Sequence, residues 1–525
     1  MPFAKFVFKP GINKEGTNYS NENGWFDADK IRFRKGRPEK IGGWQKHSSS
    51  SFLGTCRKIH VYSDIESTKY KILGTHKKLY GVEGTTFNDI TPIRATTSAG
   101  DVTFAATNGS STITATDTSH GAIIGDFVTF SGASSLGGNI TAAVLNQEYE
   151  IVSVPNDNSF TFTAKDTSGT EVTANSSDSG NGGSSVVGTY QINVGLDTYV
   201  SSTGWGVGSW GAGGFGSTTP LSLTNQLRLW TIDNFGDDTI AAPRGGPIYY
   251  WDESSGLSTR AVLASSRAGA SNTPVAVLQL LMSDVDRHVI ALGSNPIGSS
   301  TIDPLLVRFS DKENAVDWTP TATNSAGGVR LSTGSTIIGG LQTRQEILIW
   351  TDVGIVSMRF VGAPFVFSFN EVATGMSLIS PNGAATAGGV VYFMDDGAFY
   401  QYSGSVQRLP CTVLDHIFSD FNKSQAYKVF AAANPKYNEV MWFYPSESSE
   451  EINRYVIYNY LEQSWSIGTT SDNFVRTAWN PAYTLDYPLA ASKDDDSGSN
   501  YLYDQEFGYL ADGNGFTAFI ESSDF

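Results

Sequence analysis

The sequence predicts an all-β protein with a degenerate β-propeller-like core, a small inserted β-domain and a few short helices. Three observations support this fold class. Glycine accounts for 55 of the 525 residues, only 17% of the residues are charged, and short apolar runs are separated again and again by turn residues. Helical bundles need more charge and less glycine, so the composition disfavours them. The aromatic content of 12% argues against intrinsic disorder.

The sharpest local signal is a β-hairpin. Two apolar runs, Val390–Met394 and Ala398–Tyr402, flank the turn Asp395–Gly397, and Asp-Gly between apolar runs strongly favours a hairpin. Comparable strand pairs are predicted at Glu346–Trp350 with Ile355–Phe360 and at Val440–Tyr444 with Arg454–Tyr458, and further units begin at Ile248, His288 and Tyr501. The units recur roughly every 40 to 60 residues, a spacing that brackets the length of a propeller blade.

The chain divides into three predicted segments. Residues 1–95 form a basic N-terminal segment with the first core strands, residues 96–190 the inserted β-domain, and residues 191–525 the remaining core. The inserted domain is rich in Ser, Thr, Gly, Asn and Asp, and its Phe160–Thr163 run alternates apolar and polar residues, as a half-buried strand does. The strand-like end of the sequence, Ile520–Phe525, leaves open that the core continues in a further C-terminal part.

Two short helices are predicted as packing elements. The first follows an N-cap at Thr273 and a proline at the first helical position, with apolar residues at helical spacing up to Met282. The second has a capping box from Thr412 to Asp415 and an apolar face that ends at Phe421.

Charge is distributed unevenly along the chain. The first 80 residues carry 16 Lys and Arg against 7 Asp and Glu, whereas the remainder carries 19 against 45. The densest basic stretch is Lys30–Lys40, where Ile31 and Phe33 alternate with cations as in a strand with one charged face. Such a strand can be a solvated edge that deters edge pairing, or it can contact a subunit or phosphate. Under the second interpretation the candidate interface residues are Arg32, Arg34, Lys35 and Arg37.

No catalytic or metal-binding pattern is found in the sequence. The six histidines never adopt zinc-binding spacing, and Cys56 and Cys411 are far apart. A formal GxGxxG at Gly206–Gly211 is followed by more glycine and by Pro220 instead of a helix, so it does not predict a nucleotide site. We assign the acidic pairs at Asp237, Asp395 and Asp494 to turns. We therefore expect no enzyme activity, no cofactor and no metal.

No targeting signal is found either. The N-terminus lacks the apolar region of a signal peptide, and no run of about 18 apolar residues occurs. We expect no membrane partner.

One segment is more distinctive than the rest. Asp303–Pro320, followed by Gly328–Leu331 and Ile337–Gly340, resembles a pattern of structural tail proteins of tailed bacteriophages. The opening Asp29–Trp44 and the late Tyr458–Ser466 are similar to the start and a late hairpin of the same proteins. The family is the nozzle, or tail hub, of short-tailed phages. The motif residues that carry the resemblance are Arg308, Ser310, Asp311, Asp317, Trp318 and Pro320.

The resemblance implies a structural role in the virion. Members of this family form a homohexameric tube below the portal and the tail adaptor, next to tail fibre or spike proteins. Double-stranded DNA leaves through the tube without sequence-specific binding, and the tube helps to retain the genome beforehand. The inserted domain is similar to small β-domains of exposed tail proteins, so we do not expect it to line the channel.

The charge balance is compatible with a conduit. Each Lys or Arg contact increases the affinity for phosphate, so an acidic body would let a duplex slide, while the basic N-terminal segment could face an acidic adaptor. The alternative function is a glycan-binding or depolymerising propeller, which would need an exposed cleft with aromatics and two carboxylates. A bacterial surface adhesin is a third possibility, disfavoured by the missing export signal.

Overall fold

Strands dominate the structure, which confirms the predicted all-β class. The computed structural model describes residues 8–17, 19–178, 180–200, 224, 226–471, 474–493 and 499–523. The Gly-rich stretch with the formal GxGxxG and the acidic run Asp494–Asp496 lie outside the described residues.

Five short strands open the chain, and the first, fourth and fifth of them pair with strands near the other end of the sequence. They are β1 (Trp25–Asp29), β2 (Ile31–Arg34), β3 (Arg37–Lys40), β4 (Trp44–Lys46) and β5 (Phe52–Leu53). β2 and β3 form an antiparallel hairpin. Its turn residues Lys35 and Gly36 both have positive φ, of 53° and 71°, which is the backbone of a tight two-residue hairpin.

Within the described residues, seven four-stranded antiparallel sheets follow one another as the blades of a propeller. Blade 1 comprises β6 (Cys56–Ser63), β7 (Lys69–Thr75), β8 (Leu79–Glu83) and β9 (Thr86–Asp89). The first strands of the blades contact one another and are therefore innermost, and the other strands of each blade follow outward in order.

The inserted domain follows blade 1. Its elements are β10 (Ile93–Thr96), β11 (Thr103–Ala106), β12 (Thr112–Thr116), β13 (Phe127–Ser131), α1 (Ala142–Leu145), β14 (Glu148–Glu150), β15 (Ser153–Asn156), β16 (Ser159–Thr163) and β17 (Val187–Gln191). The strands form two four-stranded sheets, in the orders β10-β17-β13-β14 and β11-β12-β16-β15. The two sheets share a core of aromatic and aliphatic residues that includes Phe104, Phe130 and Phe162. The strands span 93–191, compared with the predicted 96–190.

Blades 2 to 4 follow in the next part of the chain. Blade 2 comprises β18 (Trp230–Phe235), β19 (Asp238–Pro243), β20 (Tyr249–Trp251) and β21 (Val262–Leu263). Blade 3 comprises β22 (Val277–Met282), β23 (Val289–Ser294), β24 (Leu306–Phe309) and β25 (Gly327–Arg330). Blade 4 comprises β26 (Ile337–Gln342), β27 (Ile347–Thr351), β28 (Gly354–Gly362) and β29 (Val366–Thr374).

Blades 5 to 7 complete the disc. Blade 5 comprises β30 (Ala384–Ala387), β31 (Val390–Met394), β32 (Phe399–Tyr402) and β33 (Val406–Arg408), and is followed by α2 (Leu414–Ser419). Blade 6 comprises β34 (Phe430–Asn434), β35 (Glu439–Tyr444), β36 (Arg454–Asn459) and β37 (Ser464–Thr469). Blade 7 comprises β38 (Ala478–Asn480), β39 (Leu489–Ala491), β41 (Leu502–Gln505) and the N-terminal β4.

A few short elements lie outside the blades. The strand β40 (Ser499–Asn500) pairs with β5, and β42 (Phe519–Ser522) pairs with β1. Short 3-10 helices occur at Tyr19–Asn21, Glu253–Ser255, Ala264–Ser266, Lys423–Lys428 and Pro435–Tyr437.

Apolar clusters between the blades close the ring. A separate buried cluster joins each blade to the next, for example Trp230 and Trp251 of blade 2 with Ile72 of blade 1. The cluster of Leu489 and Leu502 with Leu73 joins blade 7 back to blade 1. Because β4 comes from the N-terminal segment and pairs with β41, main-chain hydrogen bonds also hold the two ends of the propeller together.

The predicted hairpins are confirmed. β31 and β32 pair on either side of the Asp395–Gly397 turn, β27 pairs with β28, and β35 pairs with β36. In the turn, the backbone N–H of Asp395 donates to the carbonyl of Ala398 at 2.9 Å.

The predicted helix after Thr273 is wrong. Its apolar residues belong to β22, the innermost strand of blade 3, which is buried on both sides. A strand buried on both faces loses its period of two, and a short apolar run then fits helical spacing equally well. The second predicted helix is present as α2, but it begins after Val413, and the Thr412 hydroxyl donates to the carbonyl of Ile12 instead of capping the helix.

The disc has two different faces. We call the face with the turns between the first and second strands of the blades the turn face, and the opposite one the linker face. The linker 192–200, which leads away from the inserted domain, crosses the linker face: Gly195 donates to the carbonyl of His76, and Tyr199 exchanges hydrogen bonds with Gln425 next to blade 6. The linker therefore connects blade 1 to the segment before blade 6 on this face.

Candidate functional site

The segment that carries the phage-tail resemblance lies in blade 3 and begins with a buried arginine. Arg308 is on β24, and its guanidinium donates to the carbonyls of Asn295 at 3.1 Å, Asn272 at 2.6 Å and Trp318 at 3.5 Å. Burial lowers the pKa of Arg308 to about 10. Three main-chain acceptors from three segments suit the fixed fork of a guanidinium, so Arg308 ties the loops around blade 3 together.

Trp318 and Ser310 complete this internal network. Trp318 is fully buried in the cluster between blades 2 and 3, and its indole N–H donates to the carbonyl of Ala315 at 2.9 Å. The Ser310 hydroxyl accepts from the N–H of Val289 at 3.0 Å, and the Ser310 carbonyl lies 2.7 Å from Nδ1 of His288. These residues pack and connect strands.

The two carboxylates of the motif stabilise the loop between β24 and β25. Asp311 accepts from the N–H and the hydroxyl of Ser325 at 2.8 and 2.7 Å. Although desolvation opposes ionisation, these hydrogen bonds lower the pKa of Asp311. Asp317 accepts from the Ser271 hydroxyl and from the Asn324 amide, whereas Pro320 is exposed. The structure thus brings the motif residues together as a framework for one blade.

The basic hairpin β2–β3 is divided between interior and surface. Arg34, Lys35 and Arg37 are exposed at its tip, on the turn face, where the backbone N–H groups of Lys35 and Gly36 donate to the carboxylate of Glu462. These three residues remain available as a contact surface.

Arg32, which the sequence assigned to the same interface, is buried with 1% of its side chain exposed. Its guanidinium contacts the carboxylates of Glu439 at 3.2 Å and Glu506, and lies 3.7 Å from the ring centre of Tyr437. Burial opposes its charge, but the two carboxylates raise the pKa of Arg32. The alternating pattern predicted an outward side chain. Because β2 lies between the outer strand of blade 6 and the residues after β41, both of its faces are covered instead.

The basic N-terminal segment therefore does not form one positive surface. Several of its cations are buried: Lys30, Arg32, Arg57, Lys71 and Lys78. Lys78 lies against Asp89 and Glu148, where Arg260 also contacts Asp89 at 3.0 Å. This ion-pair group attaches the inserted domain to blades 1 and 2.

A cluster of charges at the linker face could not be predicted from the sequence. Arg57 donates to Glu451 at 2.8 and 2.7 Å and to Asp197 at 3.0 Å, while Lys493 donates to Asp197 at 2.8 Å. Lys428 lies 3.6 Å from Glu451. The residues come from five separate segments, and no local pattern in the sequence marks them as a group.

The cluster has strongly shifted ionisation. Burial would raise the pKa of Glu451, but the charge of Arg57 holds that pKa at about 2. The charge of Arg57 also lowers the pKa of Asp197, against the effect of burial. Burial lowers the pKa of His76, which lies 3.9 Å from Asp197, to about 4. At neutral pH the cluster therefore contains ionised carboxylates, charged Arg57 and a neutral His76.

Among the described residues, the innermost strands line a small cavity on the propeller axis. Its volume is about 130 Å³, and it is lined by residues of the innermost strands, among them Lys58, Gln279, Gly340 and Trp479. With about 30 Å³ per water molecule, this space holds a few waters and no duplex.

Neither a metal centre nor a membrane span is found in the part of the chain that the structure describes. Among the described residues, no three His, Cys, Asp or Glu side chains are grouped so that they could bind a metal ion. No helix within the same ranges is long and apolar enough to cross a bilayer.

Comparison with known proteins gives no family. No protein-family model matches the chain, and no curated protein matches it. Among solved structures, the chain is similar to apo AztD from Citrobacter koseri, with 10% identity, a TM-score of 0.32 and coverage of 86% of this chain and 97% of that one. It is also similar to Hsv2 from Kluyveromyces lactis, with 12% identity, a TM-score of 0.25 and coverage of 44% and 58%. For the endosialidase of phage phi92 the identity is 13%, the TM-score 0.19 and the coverage 91% and 58%.

Proposed function

We propose that the chain is a structural component of a phage tail, a nozzle or tail-hub subunit that forms the DNA exit channel together with further copies of itself. The observation that carries this proposal is the role of the Asp303–Pro320 motif. The side chains that give the resemblance, Arg308 and Trp318 above all, are buried and connect loops of blade 3. The motif therefore stabilises the fold of blade 3, which is what we expect of a structural tail protein.

The small axial cavity supports an assembly of several copies. At about 130 Å³, the axial cavity of one propeller has no room for a duplex. A DNA channel would therefore have to run between subunits, in agreement with the homohexamer that the resemblance implies. The net charge of −17 favours sliding, since few cations are available to bind phosphate.

The exposed tip of the basic hairpin is the proposed contact for the tail adaptor. The positive charges of Arg34, Lys35 and Arg37 favour contact with an acidic partner. Arg32 is buried and is not part of this surface. Tail fibre or spike proteins are the other expected neighbours in the virion, and DNA is expected to pass without sequence-specific contacts.

Electron microscopy of the purified chain tests the conduit. We expect six-fold rings with an axial hole wide enough for double-stranded DNA. A monomer that cleaves or binds a host polysaccharide would refute the conduit and support the glycan-binding alternative.

The adaptor contact is tested separately. Substituting Arg34, Lys35 and Arg37 by Ser should impair attachment to the adaptor and leave the subunit folded. The matched control substitutes Ser for Lys69, Lys165 and Arg408, which are exposed elsewhere on the protein. This control variant should attach to the adaptor normally. Normal tail assembly by the hairpin variant would overturn this assignment.

A further inference from the structure

Blade 4 carries a hairpin that extends beyond its sheet. The pairing of β27 with β28 ends at Ile347 and Met358, whereas β28 and β29 remain paired as far as Gly362 and Val366. No residue from 360 to 366 is charged or polar, and Phe365 at the tip is 79% exposed. An apolar tip of this kind on a folded protein marks an interaction site.

The base of the hairpin is held in place. Phe367 is buried, and its ring centre lies 4.9 Å from that of Phe309 and 5.3 Å from that of His288 in blade 3. The ring centre of Phe360 lies 5.7 Å from that of Phe367 and 6.1 Å from that of His288. Because this packing fixes the base of the hairpin, docking the tip costs less conformational entropy than docking a loop that is free at both ends.

A second apolar surface lies on blade 7. A groove of about 360 Å³ runs between β4 and the loop after β41, and is lined by Trp44, Gln45, Phe507, Tyr509, Leu510 and Asp512. Tyr509 is 81% exposed and Leu510 50% exposed. The groove is open and large enough for a phenylalanine side chain.

The positions and charges of the two surfaces are complementary. Both lie at the rim of the disc on the turn face, and two blades separate them on one side and three on the other. Arg344 is exposed and lines the cavity beside the hairpin together with Phe360. On the adjacent loop Arg287 and Asp284 are both exposed, and in the groove Asp512 lies 3.7 Å from Lys46, so these charges are balanced within each surface. Asp486 is exposed on blade 7. The opposite charges of Arg344 and Asp486 favour one orientation of docking.

We propose that the hairpin tip of one copy, with Val361 and Phe365, inserts into the blade 7 groove of a second copy of this chain. This contact would hold neighbouring subunits of the proposed tail hub together, and its closure into a ring rests on that proposed function. Two different surfaces on one chain make a head-to-tail contact, and such contacts generate a ring when the rotation between neighbours closes.

The test uses one variant on each side of the contact. Val361→Ser with Phe365→Ser removes the hairpin tip, and Tyr509→Ser with Leu510→Ser removes the groove surface. Ile124→Ser with Val152→Ser, both exposed on the inserted domain, is the matched control. Light scattering after size-exclusion chromatography gives the assembly state, and circular dichroism checks the fold.

We expect the wild type and the control to assemble, each of the two interface variants to be monomeric, and an equimolar mixture of the two variants to form dimers and nothing larger. The mixture recovers one intact hairpin and one intact groove, so a dimer identifies a head-to-tail contact. A mixture without dimers would overturn the pairing. Rings that persist in both variants would overturn this interface and leave the conduit standing, whereas open chains that both variants abolish would support the interface and refute the ring.

Discussion

Arg57 and Glu451 form a two-point ion pair, with Nη1 2.8 Å from Oε1 and Nη2 2.7 Å from Oε2, although 394 residues separate them along the chain. The pair joins the innermost strand of blade 1 to a loop of blade 6 across the linker face. Asp197 of the linker shares the Arg57 guanidinium at 3.0 Å. Arg57 therefore connects blade 1, a loop of blade 6 and the linker.

Replacing Glu451 by Gln should destabilise the protein by about 2–3 kcal/mol, because the buried Arg57 loses a charged partner while most of its surroundings stay the same. Urea denaturation measures the change in the free energy of unfolding. Asp420→Asn is the matched control: it breaks a pair with Arg454 in which 35% and 37% of the side chains are exposed, and it should cost less than about 1 kcal/mol. Equal effects of the two substitutions would show that the cluster does not act as a buried network.

Acidification should weaken the same cluster. In the folded protein the pKa of His76 is about 4 and that of Glu451 about 2, both below the values of about 6.5 and 4.3 expected in the unfolded chain. The unfolded state therefore binds more protons over this range. The free energy of unfolding should fall as the pH drops from about 6.5, first through His76 and below pH 4.5 through Glu451 as well.

His76→Asn isolates the first part of this dependence. Nδ1 of His76 accepts the N–H of Thr55 at 2.9 Å, and the Asn carbonyl can accept the same hydrogen bond without titrating. Urea denaturation between pH 7 and 4 measures how far the free energy of unfolding falls. This decrease should be smaller in the variant than in the wild type by about 2–3 kcal/mol. An unchanged slope would mean that His76 is not held neutral.

The sequence predicted what local chemistry determines. The Asp395–Gly397 hairpin and the all-β class follow from turn residues and from apolar runs, which act over a few positions. The burial of Arg32 and the clustering of Arg57 with Glu451 depend on strands that meet only when the ring closes. The alternating pattern of β2 could not predict that Arg32 is buried, because the residues that cover its side chain lie hundreds of positions later in the chain. The helix predicted after Thr273 failed for a related reason: the innermost strands of a propeller are buried on both sides.

Arg308→Lys should weaken blade 3. An ammonium group cannot reach the carbonyls of Asn272 and Asn295 in the way the guanidinium fork does, and a buried acceptor left without a donor costs about 1–3 kcal/mol. Hydrogen exchange should rise in β24 and in the loop up to Pro320. The control is Arg330→Lys, since Arg330 is 59% exposed and pairs with Asp303. If both variants exchange at the wild-type rate, the motif arginine has no structural role.

Adjacent lysines offer a test of how the inserted domain is attached. Lys78 is 5% exposed and contacts Asp89 at 2.8 Å and Glu148, while Lys77 contacts Glu150 at 2.7 Å, with 26% and 43% of the two side chains exposed. Lys78→Met keeps the bulk of the side chain but leaves two carboxylates close together with less compensating charge, so the contact between the domain and blade 1 should open more often. Limited proteolysis near residues 92–97 should then accelerate by about 10-fold, the change that about 1.4 kcal/mol produces. Lys77→Met should change the cleavage rate by less than about 2-fold, because exposed pairs contribute little. Equal acceleration in both variants would place the attachment in the apolar contacts of the domain instead of in the buried ion pairs.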